Sequence, residues 1–182
     1  MGEPTMHALQ CTATVFNLFS DSLVERIGLR SVSSELTSSG ARLFRINTLP
    51  ILLRGAGYSP EIFLRHDTPS TPFSYATHLD YTRHMMLNVV RLEGKFEDDA
   101  FYELADERGL LVMHGLCCCD SWQHWPFWTT TTRAIAAASV SDQAQRLRWR
   151  ASSLVFLYSS DELPVSNNNK NNEHKKKQLI VH

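Results

Sequence analysis

The sequence predicts an α/β protein built on a parallel sheet, and three observations support this. Short apolar segments alternate with helical segments through residues 42–162, as in repeated βα units, whose helices lie outside a parallel sheet. Hydrophobic residues make up 43% of the 182 residues and charged residues 20%, an ordinary globular composition. No apolar run reaches the roughly eighteen residues that a membrane-spanning helix requires.

The charge balance argues against two classes of partner. Lys and Arg total 18 against 19 Asp and Glu, which gives a net charge of −1. Such a balance predicts no basic surface for nucleic acid or for an anionic membrane. The opening residues, MGEPTMHALQ, lack a basic segment followed by an apolar one, so no signal peptide is predicted and no compartment is assigned.

Residues 1–40 form the first of three predicted regions. They are rich in Ser and Thr, and apolar and polar residues alternate in Cys11–Phe16 and again in Arg30–Leu36. Alternation of this kind is typical of half-buried antiparallel strands. Two or three short strands do not make a stable sheet alone, so this region is predicted to be the edge of a larger unit.

Residues 41–163 form the second region, with a β-α-β-α-β-α-β pattern. The predicted strands are Leu49–Leu53, Val89–Leu92, Leu110–His114 and Leu154–Tyr158. The predicted helices are Tyr75–Leu87, Phe96–Arg108 and Arg133–Arg148. The second helix has acidic residues in its first turn, which the helix dipole favours, and Gly109 is predicted to end it.

Residues 164–182 form the third region, predicted to be a disordered tail. Its sequence SNNNKNNEHKKK has no apolar residue with which to form a core. A charge run of this type is usually a solvated tail, and an RNA-binding role for its lysines is the alternative.

The cysteines predict neither a disulfide framework nor a metal centre. Cys11 stands alone and Cys117–Cys119 are consecutive, whereas disulfides join distant segments and zinc sites space their ligands in pairs. The three adjacent cysteines are interpreted as small buried residues. His114 is interpreted as a strand residue, because no second histidine has ligand-like spacing.

Candidate functional residues lie at or beyond the carboxyl ends of the predicted parallel strands, where ligands bind. In chain order they are Tyr58, Glu61, Arg91, Glu93, Asp120, Asp161 and Glu162. An acid-lined opening suits sugar hydroxyls and amino groups, and a pair of carboxylates is what glycoside hydrolysis requires. Trp122 and its aromatic neighbours are suited to stacking on a pyranose ring.

Three structural alternatives remain open for these residues. Arg91 and Glu93 are also expected if they only form an ion pair. The aromatic residues around Trp122 could equally serve loop packing. Glu162 alone could be a charge at the start of a helix.

Several motifs resemble glycoside hydrolase family 2, in particular its exo-β-D-glucosaminidase (exo-chitosanase) branch. The residues that carry the resemblance are Arg26–Arg30 (RIGLR), Arg42–Arg65, Asn88–Lys95 (NVVRLEGK), Phe101–Gly109, Leu111–Asp120 (LVMHGLCCCD) and Ser159–Glu162 (SSDE). The likeness covers nearly everything before Pro164. It implies the N-terminal half of a (β/α)8 TIM barrel, preceded by the edge of an immunoglobulin-like β-sandwich domain.

The resemblance also implies roles for individual residues. Glu162 falls at the position of the general acid/base, and Asp161 at that of a neighbour that orients it. Glu61 matches an acidic position associated with the substrate amino group. Cys117 stands where many members have a second acidic residue. No metal or other cofactor is implied.

The implied activity is retaining, exo-acting hydrolysis of O-glycosyl bonds in a β-linked amino sugar or a related carbohydrate. A complete barrel takes about 250 residues, and the four strands predicted here are half of its eight. The chain is therefore expected to be truncated before the strand that carries the nucleophile, and to be inactive alone. The alternative is a non-catalytic fragment or a sugar-binding pseudoenzyme. Members of this family are often secreted.

Overall fold

The computed structural model describes residues 4–59, 63, 72–93, 95–115 and 127–157, together with the backbone of residues 179–181. The first part of the described chain contains five antiparallel strands: β1 (His7–Val15), β2 (Leu18–Ile27), β3 (Val32–Leu36), β4 (Arg42–Ile46) and β5 (Leu49–Ile51). Strands and helices then alternate: β6 (Gly55–Tyr58), α1 (Tyr75–His84), β7 (Val89–Leu92), α2 (Asp99–Arg108), β8 (Leu111–Gly115), α3 (Thr130–Leu147) and β9 (Ser153–Leu157). A last strand, β10, comprises Leu179–Val181.

The second part of the chain confirms the predicted β-α-β-α-β-α-β order and the parallel sheet. The strand order is β10-β9-β8-β7-β6, and β6, β7, β8 and β9 pair in parallel with their neighbours. Each pair of consecutive parallel strands is joined through a helix. The carboxyl ends of the four parallel strands therefore meet at one edge of the sheet.

Helix α2 ends at Arg108, as its sequence predicts, but it begins at Asp99, three residues after the expected start at Phe96. The Asp98 side chain accepts a hydrogen bond from the Phe101 N–H and caps the first turn. Gly109 ends the helix in the left-handed conformation, with φ 64°, which glycine adopts without steric cost.

The parallel sheet separates two cores because its side chains alternate between the two faces. On the helix side, Val90, Leu92 and Val112 pack against Leu79, Phe101, Tyr102 and Leu147. On the opposite face, a smaller core joins the sheet to the β4–β5 hairpin, and its buried members are Phe44, Val89, Leu111, Leu154 and Val155.

The first parallel strand lies farther along the chain than the apolar pattern predicts. Leu49–Leu53 was the expected strand, but Leu49–Ile51 pairs antiparallel with β4 and the parallel strand is Gly55–Tyr58. The reason is close approach, since a Cβ on Gly55 would collide with the carbonyl of Val89 on the next strand. A short run of small residues thus forms the strand, although its composition predicts the end of a strand.

The five antiparallel strands form two separate sheets. β1 and β2 make a hairpin, and every residue of β1 is exposed. β3, β4 and β5 form a three-stranded sheet, so this sheet continues across the boundary expected at residue 40.

The last strand lies within the region predicted to be disordered. The backbone of Leu179–Val181 pairs antiparallel with β9 and closes that edge of the sheet. These three residues are apolar and two are β-branched, a composition that favours strands. The polar stretch before them is not among the residues that the structure describes.

Candidate active site

The edge formed by the carboxyl ends of β6–β9 holds three of the predicted site residues in the described part of the chain. Tyr58 is the last residue of β6, Arg91 lies near the end of β7, and Glu93 follows β7 directly. Gly57 and Arg91 are register partners across β6 and β7. The sheet thus brings residues from two neighbouring strands to a common edge.

Arg91 and Glu93 form an ion pair on the face of the sheet that lies away from the helices. Arg91 Nη1 lies 3.2 Å from Glu93 Oε2, and the two side chains are 36% and 38% exposed. The ion pair that was left open as a structural alternative for these residues is therefore present. Because both side chains remain partly open to solvent, the pair offers a ligand a carboxylate and a guanidinium side by side.

Tyr58 lies on the opposite side of the sheet from Arg91 and Glu93. Its ring packs against Phe101 of α2 at 5.3 Å between centroids, and its hydroxyl is hydrogen-bonded to His78 Nδ1 of α1 at 2.9 Å. Burial and the negative charges of Glu97 and Asp98 raise the pKa of this hydroxyl above its usual range. The structure therefore does not group Tyr58 with the ion pair.

His114 lies on the helix side of β8 and is fully buried. Its Nε2 is hydrogen-bonded to Ser153 Oγ of β9 at 2.8 Å, and its ring packs against Phe156 with centroids 4.6 Å apart. Burial lowers the pKa of His114 to about 3, and the positive charges of Arg146 and Arg30 act in the same direction. A neutral imidazole linking two strands agrees with its interpretation as a strand residue.

Hydrogen bonds from the Arg30 side chain stabilise the turn that precedes β9. The Arg30 guanidinium donates hydrogen bonds to the carbonyl oxygens of Arg150, Ala151 and Ser153. The buried Asp106 carboxylate accepts a bond from the Ser152 N–H at 2.6 Å. The start of β9, the strand that leads towards Asp161 and Glu162, is thereby fixed.

The remaining predicted site residues lie outside the part of the chain that the structure describes. They are Glu61, Asp120, Trp122, Asp161 and Glu162. The consecutive cysteines Cys117–Cys119 lie outside it as well. Their predicted roles stay predictions.

Two features beside the edge were not predicted from the sequence. A Cβ on Gly57 would lie 3.4 Å from Glu93 Oε2, so this glycine borders the ion pair. Glu97 is buried and accepts a hydrogen bond from the Tyr75 hydroxyl at 2.6 Å. The Gly55-Ala56-Gly57 run was the available signal for Gly57, whereas helical periodicity gave no signal for Glu97.

Within the described residues, no group of three or more His, Cys, Asp or Glu side chains is arranged to hold a metal ion. No described helix combines the length and the apolar character needed to cross a membrane.

The chain is similar to known glycoside-cleaving enzymes in structure and in sequence. No family model matches the chain. The chain superimposes on the β-glucuronidase of Parabacteroides merdae with a TM-score of 0.65 at 18% identity, covering 84% of this chain and 18% of that one. At this identity the likeness shows a shared fold. The exo-chitosanase of Amycolatopsis orientalis gives a TM-score of 0.75 at 37% identity, covering 86% of this chain and 19% of that one.

Sequence comparison leads to the same branch. The exo-β-D-glucosaminidase of Amycolatopsis orientalis is 37% identical over 171 residues, which cover 90% of this chain and 16% of the relative. That of Arthroderma benhamiae is 33% identical over 172 residues, 90% of this chain and 19% of the relative. The resemblance to glycoside hydrolase family 2 is thus confirmed. The chain is a homologue of part of the exo-β-D-glucosaminidases.

The match covers only a small part of each relative. The chain spans between 16% and 19% of the length of the first three curated relatives. The Amycolatopsis exo-chitosanase has also been solved with PNP-β-D-glucosamine, once as an Asp-to-Ala variant and once as a Glu-to-Ala variant.

Proposed function

We propose that this chain supplies the acid/base half of a retaining exo-β-D-glucosaminidase. The observation that carries the proposal is 37% identity to such an enzyme over 90% of the chain, together with four parallel strands whose carboxyl ends share one edge. The four strands would be the first half of a (β/α)8 barrel. Residues 1–40 would be the end of an immunoglobulin-like β-sandwich domain, residues 41–163 the half-barrel and residues 164–182 a tail.

In this proposal Glu162 is the general acid and base. It protonates the glycosidic oxygen as the bond breaks, and it later removes a proton from the water that releases the sugar. Asp161 orients Glu162. In a retaining mechanism a second carboxylate, about 5–5.5 Å from the first, attacks the sugar carbon, and it would come from a strand beyond the fourth.

The aspartate next to Glu162 gives the assignment a rival. Of the two variants of the Amycolatopsis enzyme solved with PNP-β-D-glucosamine, one replaces an Asp and the other a Glu. Asp161 is therefore a candidate for the acid, and each member of the pair needs its own test.

Arg91 and Glu93 are the proposed substrate contacts among the described residues. Their side chains are 36% and 38% exposed at the edge of the sheet, and a sugar ammonium or hydroxyl donates hydrogen bonds to a carboxylate. Glu61, Asp120 and Trp122 are proposed to contribute from neighbouring loops. Tyr58 is left out of the proposed contacts, because its hydroxyl is hydrogen-bonded to His78 on the helix side.

A chimaera tests the proposal. The matching segment of the Amycolatopsis enzyme is replaced by residues 4–164 of this chain, and hydrolysis of p-nitrophenyl-β-D-glucosaminide is measured. The chimaera is expected to be active, and Glu162→Gln is expected to lower its kcat by about 10²–10⁴-fold. Glu35→Gln is the matched control, since Glu35 is an exposed glutamate of β3. A folded chimaera without activity would refute the proposal.

A further inference from the structure

A cavity of about 760 Å³ lies at the amino ends of the four parallel strands. The residue immediately before each strand lines it, and these residues are Arg54, Asn88, Leu110 and Ser152. The amino and carboxyl ends of parallel strands lie at opposite edges of a sheet. The cavity is therefore at the edge opposite the one that carries Arg91 and Glu93.

The other walls of the cavity come from the first part of the chain. They comprise residues 4–7, residues 28–30 and the β4–β5 hairpin with its flanking residues up to Leu52. Small-molecule sites commonly have volumes of about 300–1,000 Å³ and often lie between structural units. The cavity between the antiparallel strands and the parallel sheet agrees with both properties.

The apolar walls of the cavity are largely uncovered. Leu29, Leu49 and Leu52 all line it, and they are 72%, 69% and 76% exposed. A single exposed leucine is common on a protein surface. Three that line one cavity offer a bound molecule a concave apolar surface, and such surfaces are typical of ligand sites.

The charges around the cavity are not balanced. The charged or titratable residues that line it are His7, Arg30, Arg54 and Asp106. Asp106 is buried, and its carboxylate accepts a hydrogen bond from the Ser152 N–H. Arg30 donates hydrogen bonds to carbonyl oxygens of the turn before β9. These two residues attract each other and offset each other's charge.

Arg54 supplies a positive charge that is not offset. Its side chain is exposed, and its backbone N–H donates to Asn88 Oδ1. Among the described residues, none forms an ion pair with the Arg54 guanidinium or accepts a hydrogen bond from it. A guanidinium pairs with a carboxylate through two parallel hydrogen bonds. An apolar cavity with this residue at its wall therefore suits an anion.

We propose that this cavity is a binding site for an aryl or alkyl carboxylate, an apolar molecule with one anionic end. The apolar body contacts Leu29, Leu49 and Leu52, and the carboxylate pairs with Arg54. The inference does not rest on the proposed function, because it concerns the opposite edge of the sheet.

Three probes with the same apolar body test the proposal. They are 4-phenylbutanoate, 4-phenylbutan-1-ol and 4-phenylbutylamine, which are anionic, neutral and cationic at about pH 7. Each is titrated into the full 182-residue chain, and amide chemical shifts are followed by NMR. The carboxylate is expected to bind most tightly and the amine least. The amides of Asn88 and Ser152 are expected to shift, and those of Arg91 and Glu93 are not.

Substitutions at exposed side chains separate the charged contact from the apolar one. Arg54→Gln is expected to weaken carboxylate binding by about two- to fivefold, the range for an exposed ionic contact, with alcohol binding unchanged. Arg83→Gln is the matched control, because Arg83 is an exposed arginine of α1 that does not line the cavity. Leu52→Ser is expected to weaken binding of both the carboxylate and the alcohol.

Two sets of results would overturn the inference. Equal affinities for the three probes, or a loss on Arg54→Gln that the alcohol shares, would show that Arg54 does not bind the anionic end. Carboxylate binding that does not saturate, or shifts confined to the edge with Arg91 and Glu93, would show that the cavity is not the site.

Discussion

The fold keeps His114 neutral by surrounding it with aromatic rings. Tyr102 and Phe156 flank the imidazole, at centroid distances of 5.5 Å and 4.6 Å. Its Nε2 is bonded to Ser153, and no described group is bonded to its Nδ1. Protonating such a ring is unfavourable, because the buried imidazolium lacks the hydration that stabilises it in water.

This burial predicts an acid-sensitive fold. The pKa of His114 is about 3 in the folded chain, below the value of about 6.5 expected when unfolded. The contribution of neutral His114 to the free energy of unfolding is therefore fully present above about pH 6.5. It is lost as the pH falls towards 3, by up to roughly 4 kcal/mol. Urea unfolding between these pH values measures the loss.

His114→Gln is the matched variant for this prediction, because it keeps a polar group near Ser153 and removes the titration. Its unfolding free energy should depend less on pH than that of the wild type. Burial raises the pKa of Asp106 and acts in the opposite sense, but it is common to both proteins. Equal pH dependence in the two proteins would contradict the account of His114.

At the scale of elements, the β4–β5 hairpin carries local strain. Its two-residue turn is Asn47-Thr48, with φ values of 49° and 69°. Both angles are positive, as in the type I′ turn that suits twisted hairpins. Asn47 tolerates this region and accepts a hydrogen bond from the Ser31 N–H, whereas a β-branched threonine is disfavoured there.

Thr48→Gly is expected to stabilise the chain by about 1 kcal/mol, because glycine adopts a positive φ without steric cost. The measurement is the urea midpoint at constant slope. Thr48→Ala is the control, since alanine keeps most of the penalty and should give little gain. An unchanged or lower stability for the glycine variant would show that the turn is not strained.

The elements that could be predicted are those specified by their own residues. Helix α2 has its capping residue Asp98, its apolar spacing and Gly109 within one segment. Strand β6 could not be predicted, because its first residue, Gly55, is required to be small by Val89 on another strand. Strand β10 was missed because the polar run before it dominated the composition.

The site residues that could be predicted are likewise those marked by their own local sequence. Arg91 and Glu93 were identified because they lie at the carboxyl end of a short apolar strand. The side on which Tyr58 lies depends on β6, whose predicted position was several residues too early in the chain. The proximity of Gly57 to Glu93 depends on a contact across strands. Local signals therefore found the edge of the sheet but not the arrangement of side chains along it.

At the scale of the whole molecule, the polypeptide of 182 residues is expected not to hydrolyse aryl β-glucosaminides by itself. A retaining mechanism needs a second carboxylate, and loss of one essential group costs several orders of magnitude in rate. The purified chain is assayed beside its Glu162→Gln variant. Turnover that the substitution abolishes would contradict this expectation.

The most direct test of the central claim, that Glu162 is the general acid, is the leaving-group dependence of the active chimaera. Glu162→Gln is compared on p-nitrophenyl-β-D-glucosaminide, whose leaving group needs little protonation, and on a chitosan oligomer, whose leaving group needs it. The account predicts a loss of kcat/KM at least about tenfold greater on the oligomer. Equal losses on both substrates, or a leaving-group dependence found with Asp161→Asn and not with Glu162→Gln, would contradict it.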